Sequence, residues 1–465
     1  MRIHFLGAAQ TVTGAQFLLE VNGHTLLLEC GLFQGKREES YRRNQTFAFD
    51  PRQISAAILS HAHIDHSGNL PNLVKQGYAG PIYTTPASAA LADIMVRDSA
   101  HVLEADVNYV NKKRRKRGEP PLEPLYTVAD AEKVAPLFRG IPYQQPFEPI
   151  PGVQATLVDA GHILGSAAIV LDIEEQGQRF RLWFSGDIGR ERLPLLRDPV
   201  LPEKADFLMM ECTYGDRPHH DPEEAYQHLR EVTQRTLTRG GKVIIPAFAV
   251  GRTQELVYCY NRMLQAGEIP PVPIYVDSPL AVAASRIFQH FADLFDEETR
   301  AFVQSGGHPA LSYPQLHYIQ SVEESRALND RMDPMIIISA SGMAEAGRIL
   351  HHLKHNIQNP RNTIVIVSWQ APDTLGRRLV EGAPVVRIFG ELFDRRAEVV
   401  AIDGFSAHAG QDMLLHYAEA SRASLRRIIL VHGEPTAADA LREKMLQEGL
   451  PKPIYPAWGE TLTLP

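Results

Sequence analysis

Cysteine is scarce in this chain of 465 residues: only Cys30, Cys212 and Cys259 occur, far apart and with no CxxC pair. Such a set supports neither a disulfide framework nor a thiolate zinc site, and it fits a reducing, cytoplasmic location. No apolar run is long enough to span a bilayer. The opening MRIHFLGAA reads as a strand and lacks the basic region and apolar stretch of a signal peptide. A surplus of positive charge is also missing. Formal net charge is −8, which argues against a surface coated in cations for nucleic acid, although it leaves room for a local basic groove or a bound metal. There is no internal repeat and no low-complexity linker.

What is present is ordinary for a globular protein of one or two domains: 44% hydrophobic and 22% charged residues. The first 210 or so residues read as strands and hairpins. Apolar runs 16–21 and 24–30 flank Asn22-Gly23, a strong hairpin turn. AAILS (56–60) is a short buried strand, NLPNLVKQG (69–77) a helix stopped by Gly77, PIYTT (81–85) a strand, and Ala87 to Lys116 a long helix. Residues 167–174 and 180–185 form a second hairpin around Gln176-Gly177-Gln178, and FLMMEC (207–212) is a buried strand. From about 222 to 390, strands such as GKVIIPAFA, PIYVDS, PMIIISAS, NTIVIVSW and VVRIF alternate with helices, the pattern of a parallel sheet covered by helices. AEVVAIDGFSAH and RRIILVHGE then return to histidine-bearing strands. One metal-binding domain interrupted by an inserted α/β domain is the expected organisation. The single charge block is Lys112 to Arg117, KKRRKR, either a solvated helix end or a patch for polyanions.

The segment that carries chemistry is Ser60-His61-Ala62-His63-Ile64-Asp65-His66, directly after a strand. Imidazole and carboxylate are zinc-type ligands. In extended backbone His61 and His63 project to the same side, and Asp65 and His66 can turn to a second metal. His162, in Asp159-Ala160-Gly161-His162, and Asp187, in Phe184-Ser185-Gly186-Asp187, each follow a strand and a glycine. Asp187 is the expected bridge between two ions.

HAHIDH, DAGHILGSA and FSGDIG resemble the metal-binding motifs of the metallo-β-lactamase superfamily. ECTYG (211–215), FSAH (405–408) and VHGE (431–434) are similar to the additional motifs of its β-CASP branch, and PAFAVGRTQE, DSPLA and SASGM to its inserted domain. The resemblance extends to about residue 435, and the chain looks like prokaryotic relatives of the endonuclease subunit of the cleavage and polyadenylation specificity factor. It implies an αββα sandwich, residues 1–211 and 395–465, interrupted by a parallel-sheet α/β domain, 212–394. It implies that His61, His63 and His162 hold one zinc, that Asp65, His66 and His432 hold the other, and that Asp187 bridges them. Asp65, Glu211 and His408 are the implied catalytic residues, with Glu211 and His408 as a dyad assisting the leaving group. His432 favours RNA over DNA. Glu29, in LECG, replaces the family's usual Asp and is expected to support the ligands from behind. Two zinc ions would activate a bridging water and offset charge on the phosphate; manganese suits the same nitrogen and oxygen donors. RNA, single-stranded by expectation, is the implied partner, with no membrane, and the family admits a homodimer. No RNA-binding extension is seen ahead of the first strand, and the short stretch after His432 does not match the longer bacterial ribonucleases of the superfamily.

Arg252, Ser341 and Ser406 are candidate phosphate holders, the first two at strand-to-helix turns where backbone amides favour anions. Arg377 and Arg378 are weaker candidates. Each has a structural alternative as a helix cap or surface ion pair. Two other functions compete with the nuclease. A thioester or lactone hydrolase would lack the insertion and the Glu211/His408 pair. An inactive scaffold would have lost metal ligands.

Overall fold

The computed structural model describes residues 1–35, 37–219, 221–306, 309–371 and 373–464. It divides into two compact units. The first comprises Met1–Glu191, Asp198–Pro218 and His408–Pro465; the second, Arg192–Arg197 and His219–Ala407.

The first unit holds two sheets. One contains β1 (Arg2–Phe5), β2 (Phe17–Val21), β3 (His24–Leu28), β4 (Ala56–Ile58), β5 (Ile82–Thr84), β6 (Phe138–Gly140) and, at its far edge, β21 (Thr461–Thr463), in the order β21-β1-β2-β3-β4-β5-β6. The other contains β7 (Phe147–Ile150), β8 (Val153–Asp159), β9 (Ala167–Glu175), β10 (Gln178–Phe184), β11 (Phe207–Glu211) and β20 (Arg427–Val431), in the order β20-β11-β10-β9-β8-β7. Alternation along the strands gives each sheet an apolar inner face. Ile3, Phe17 and Leu26 from the first sheet join Leu157, Ile169, Leu182 and Met209 from the second in one core. The opposite face of the second sheet, Val170, Trp183, Leu208 and Met210, is covered by Leu414, Tyr417, Leu441 and Met445 from the helices Gln411–Glu419 and Pro435–Gln447. Leu182 is fully buried; truncation to alanine there would cost about 2–5 kcal/mol.

Strand direction in the second sheet positions the chemistry. β8 and β10 are both antiparallel to β9, so they point the same way. β10, β11 and β20 are mutually parallel neighbours. All four strands therefore end at one edge, and the chain leaves each of them there.

The second unit is built on an all-parallel sheet of β12 (Val243–Pro246), β13 (Ile274–Val276), β14 (Leu316–Tyr318), β15 (Ile336–Ser339), β16 (Thr363–Ile366) and β19 (Glu398–Ala401), in the order β14-β13-β15-β12-β16-β19. VIIP, IIIS and TIVI are buried at every position, as expected of parallel strands with both faces covered. Two details differ from the sequence expectation. VVRIF does not join this sheet: β17 (Val385–Ile388) pairs only with β18 (Glu391–Asp394), as an antiparallel ribbon. The segment around Glu398, expected to return to the metal-binding domain, instead extends the parallel sheet as β19, with Ile364 opposite Val399. The unit therefore runs on to Ala407 rather than ending at 394, and the first unit continues to Pro218 rather than 211.

Candidate metal centre

The donors of the first unit come from loops that leave the ends of strands, one after β4 of the first sheet and the others at the common edge of the second sheet. After β4, Leu59 and Ser60 lead into His61 and His63, and the four-residue helix Ile64–Ser67 carries Asp65 and His66. His162 follows β8, Asp187 follows β10, Glu211 closes β11, and His432 comes directly after β20. Close approach demands glycine at two places. Gly186 has φ +55°, and a Cβ there would lie 2.8 Å from the Ser60 side chain; a Cβ on Gly31 would lie 1.6 Å from the Asp65 carbonyl oxygen.

Two groups of donors result. His61 Nε2 is 3.1 Å from His63 Nδ1, which is 3.2 Å from His162 Nε2. On the other side, His66 Nε2 is 3.3 Å from His432 Nε2, which is 3.5 Å from Asp65 Oδ2. Asp187 faces both groups. Its Oδ2 lies 3.4 Å from His61 Nε2 and 3.5 Å from His162 Nε2, while its Oδ1 lies 3.2 Å from His66 Nε2 and 3.6 Å from His432 Nδ1.

These contacts fit metal ions better than hydrogen bonds. Donors bound tetrahedrally at about 2.0–2.1 Å lie about 3.3–3.4 Å apart, the spacing seen here. Three ring nitrogens converge around His63 where one shared proton could serve a single pair. Asp187 Oδ1 is buried and accepts no hydrogen bond of sound geometry despite the two nearby imidazoles. Such a group is costly unless a cation offsets it.

Burial holds His61 and His162 well below the usual imidazole range and lowers His63 to about 4. These rings are neutral at neutral pH, with lone pairs to give. Burial opposes the charged forms of His66 and Asp187 as well. The Asp187 and Glu29 carboxylates nonetheless raise His66 well above its ordinary value, and His432, His66, His61 and His408 hold Asp187 well below its own.

A supporting layer surrounds the donors. Glu29 Oε1 accepts from the Ser60 backbone N–H at 2.7 Å, and its Oε2 meets His66 Nδ1 at 3.0 Å. The longer side chain in LECG thus spans both groups; burial raises its pKa. Ser60 Oγ lies 2.9 Å from His61 Nδ1, and Thr213 Oγ1 lies 3.1 Å from His432 Nδ1. Sequence reasoning did not single out these two hydroxyls, although both sit inside the quoted motifs. His408 turns Nδ1 to Glu211, and its loop is tied down by the Ala409 N–H donating to the Ile188 carbonyl at 2.8 Å. Burial works against its charged form, but Glu211 and Asp187 raise its pKa to about 9.

The phosphate candidates Arg252, Ser341 and Ser406 belong to the second unit. Arg252 is buried, ion-paired with Glu255 and placed over the Phe405 ring. Ser341 Oγ accepts from the Glu345 N–H at 3.4 Å, a weak local cap. Arg377 pairs with Glu381 at 2.6 Å.

The family model of the metallo-β-lactamase superfamily matches residues 11–239, that of the Beta-Casp domain 253–379, and that of a Zn-dependent metallo-hydrolase RNA specificity domain 393–456. Ribonuclease TTHA0252 of Thermus thermophilus is 38% identical over 97% of this chain and 97% of its own length. Proteins named transcription termination factor FttA, from Methanosarcina mazei and Methanocaldococcus jannaschii, are each 31% identical over 94% and 93% of this chain and 67% of their own lengths. A crystal structure of a protein of unknown function from Enterococcus faecalis aligns over 100% of this chain and 99% of that one, with TM-score 0.57 and 13% identity, a likeness of fold alone. Among the described residues no helix is long and apolar enough to cross a membrane. The chain belongs to the β-CASP branch of the metallo-β-lactamase superfamily.

Proposed function

We propose that the chain is a zinc-dependent ribonuclease that hydrolyses RNA phosphodiester bonds at a site for two ions. The observation that carries this is the division of Asp187 between two groups of imidazoles, one oxygen to each. His61, His63 and His162 would hold one zinc and Asp65, His66 and His432 the other, with Asp187 serving both groups. Glu29, Ser60 and Thr213 fix the rings of His66, His61 and His432 from behind, so that the opposite nitrogen of each is turned inward. When bound, the zinc pair supplies Lewis-acid charge for the phosphate and lowers the pKa of water towards about 7.

His408 is the general acid. Glu211 fixes its ring through Nδ1 and its charge favours the protonated imidazole, so that Nε2 delivers a proton to the leaving 3′ oxygen. RNA as substrate is supported by the RNA specificity match over 393–456 and by the ribonuclease named above. Single-stranded RNA labelled at the 5′ or 3′ end, offered beside a chromogenic thioester and with and without chelator, tests the reading. Chelator-sensitive RNA cleavage is expected, and the two labels separate internal from end-on attack. Turnover of the thioester alone would overturn the proposal.

A further inference from the structure

The helix Pro86–Lys116 is anchored at its start. Thr85 Oγ1 and Ser88 Oγ both donate to the Gly165 carbonyl, at 2.7 and 2.8 Å, in the loop that carries His162. Its buried residues end at Ala100. Beyond it the helix is half-buried to exposed, with Leu103 packed against the core and Glu104 accepting from the Val128 N–H, and its last turns carry the cations of KKRRKR. Cations in the last turn offset the helix dipole, but that accounts neither for their number nor for the concavity beside them.

Asn108, Asn111, Lys112 and Arg115 occupy one helical face at i, i+3, i+4 and i+7. With Glu119 and Pro121 from the returning chain they line a cavity of about 470 Å³. Two residues hold its wall in place. Asn111 Nδ2 donates to the Leu122 carbonyl at 2.9 Å while its Oδ1 accepts from the Leu122 N–H at 2.8 Å, and Arg114 Nε donates to the Pro120 carbonyl at 2.7 Å. Arg114 also takes up Glu119, at 2.9 Å. The only acid lining the cavity is thereby engaged. Lys112 and Arg115 are exposed and make no ion pair among the described residues. On a neighbouring face Lys113 Nζ sits 4.4 Å from the centroid of the exposed Tyr109 ring. Pinned backbone, uncommitted cations, a side-chain amide and an exposed aromatic ring are the components of a nucleic-acid backbone site. Concentrated here, they stand against a chain of net charge −8.

We propose that this concavity is a second RNA-binding site, in which Lys112 and Arg115 hold backbone phosphates of a substrate whose scissile bond lies at the metal centre. The inference rests on the ribonuclease reading. From Ser88 to Arg115 the helix runs about 40 Å at about 1.5 Å per residue. A stacked strand at about 3.4 Å per nucleotide therefore needs about a dozen nucleotides to engage both places.

The test pairs the wild-type protein with the double variant Lys112→Gln/Arg115→Gln, both exposed positions, checked for an unchanged melting curve and zinc content. Anisotropy with a labelled single-stranded 30-mer RNA measures binding whether or not cleavage occurs. The variant should bind roughly tenfold more weakly at low salt, with the slope of log K against log salt smaller by about 1.4, the share of two phosphates. In cleavage assays KM for the 30-mer should rise with kcat unchanged, while a 6-mer is cut equally by both proteins. Equal affinity and slope for the 30-mer would overturn the exosite even if cleavage is robust. Vesicles containing anionic lipid form a further arm: a loss of vesicle binding by the variant with RNA affinity intact would reassign the surface to membranes. Absence of RNA cleavage by both proteins, with the affinity difference present, would refute the ribonuclease reading and with it the substrate role of this surface, leaving RNA binding by Lys112 and Arg115 alone.

Discussion

His408 presents Nδ1 to both carboxylate oxygens of Glu211, at 3.1 Å each. Glu211 is fully buried, and its Oε1 also accepts from the Ile188 N–H at 2.6 Å. The carboxylate is therefore held by the backbone and in turn holds the ring. His408→Ala should retain its zinc but cleave RNA roughly 10²–10⁴-fold more slowly, the range for losing a general acid. Glu211→Gln should lose part of that, because the ring keeps a neighbour but not its charge. Elemental analysis beside cleavage rates separates the two roles: zinc lost along with activity in His408→Ala would make the histidine a ligand.

Glu29 acts at one remove. Glu29→Gln removes the charge opposite His66 Nδ1 while nearly preserving shape. Zinc affinity should fall about 10- to 100-fold, read by competition with a chromophoric chelator. Unchanged affinity would reduce Glu29 to a backbone clamp for Ser60.

Gly186→Ala tests the packing that lets the loops meet. The left-handed φ and the approach to Ser60 should make the substitution cost about 1–3 kcal/mol and lower zinc occupancy with it. A variant that melts like the wild type and carries full zinc would show that the loop relaxes freely.

Much of this centre was legible in the sequence because HAHIDH concentrates four donors within six residues, directly after a strand. The hairpin at Asn22-Gly23 and the long helix to Lys116 were legible for equally local reasons: a turn dipeptide and sustained periodicity. Convergence of His162, Asp187 and His432 was not. It depends on β8, β10, β11 and β20 ending at a common edge, which sequence spacing does not encode: His162 and Asp187 stood out only as residues that follow a strand and a glycine, and His432 only through resemblance to a family. Ser60 and Thr213 escaped notice because a hydroxyl beside a ligand looks like any loop residue until a ring nitrogen is placed next to it. The fate of β17 was equally hidden. VVRIF has the composition of a core strand, yet Val385 is 44% exposed, and the strand pairs outside the main sheet.

The second unit contains a buried charge network with its own pH signature. Asp277 Oδ2 accepts from Ser325 Oγ and meets His352 Nε2, both at 2.6 Å, and its Oδ1 meets Arg348 Nη1 at 2.7 Å. Burial works against the carboxylate, but these three partners outweigh it and lower its pKa. A folded-state value below the unfolded one, about 3.9, gives stability that is complete above that pH and is lost as pH falls through the folded value. Melting temperature should accordingly decline below about pH 4. Asp277→Asn should cost about 3 kcal/mol at neutral pH and show a shallower acid decline. A variant with the wild-type pH profile would remove Asp277 from that decline.

The central claim is that two zinc ions, joined through Asp187, make this chain a nuclease. Zinc titrated into metal-stripped protein, with cleavage of end-labelled RNA as the readout, tests it most directly. The account predicts negligible cleavage without metal, a rise that levels off at two equivalents per chain, and no recovery in Asp187→Ala at the same zinc. Full cleavage by stripped protein, or a plateau reached at one equivalent, would contradict it.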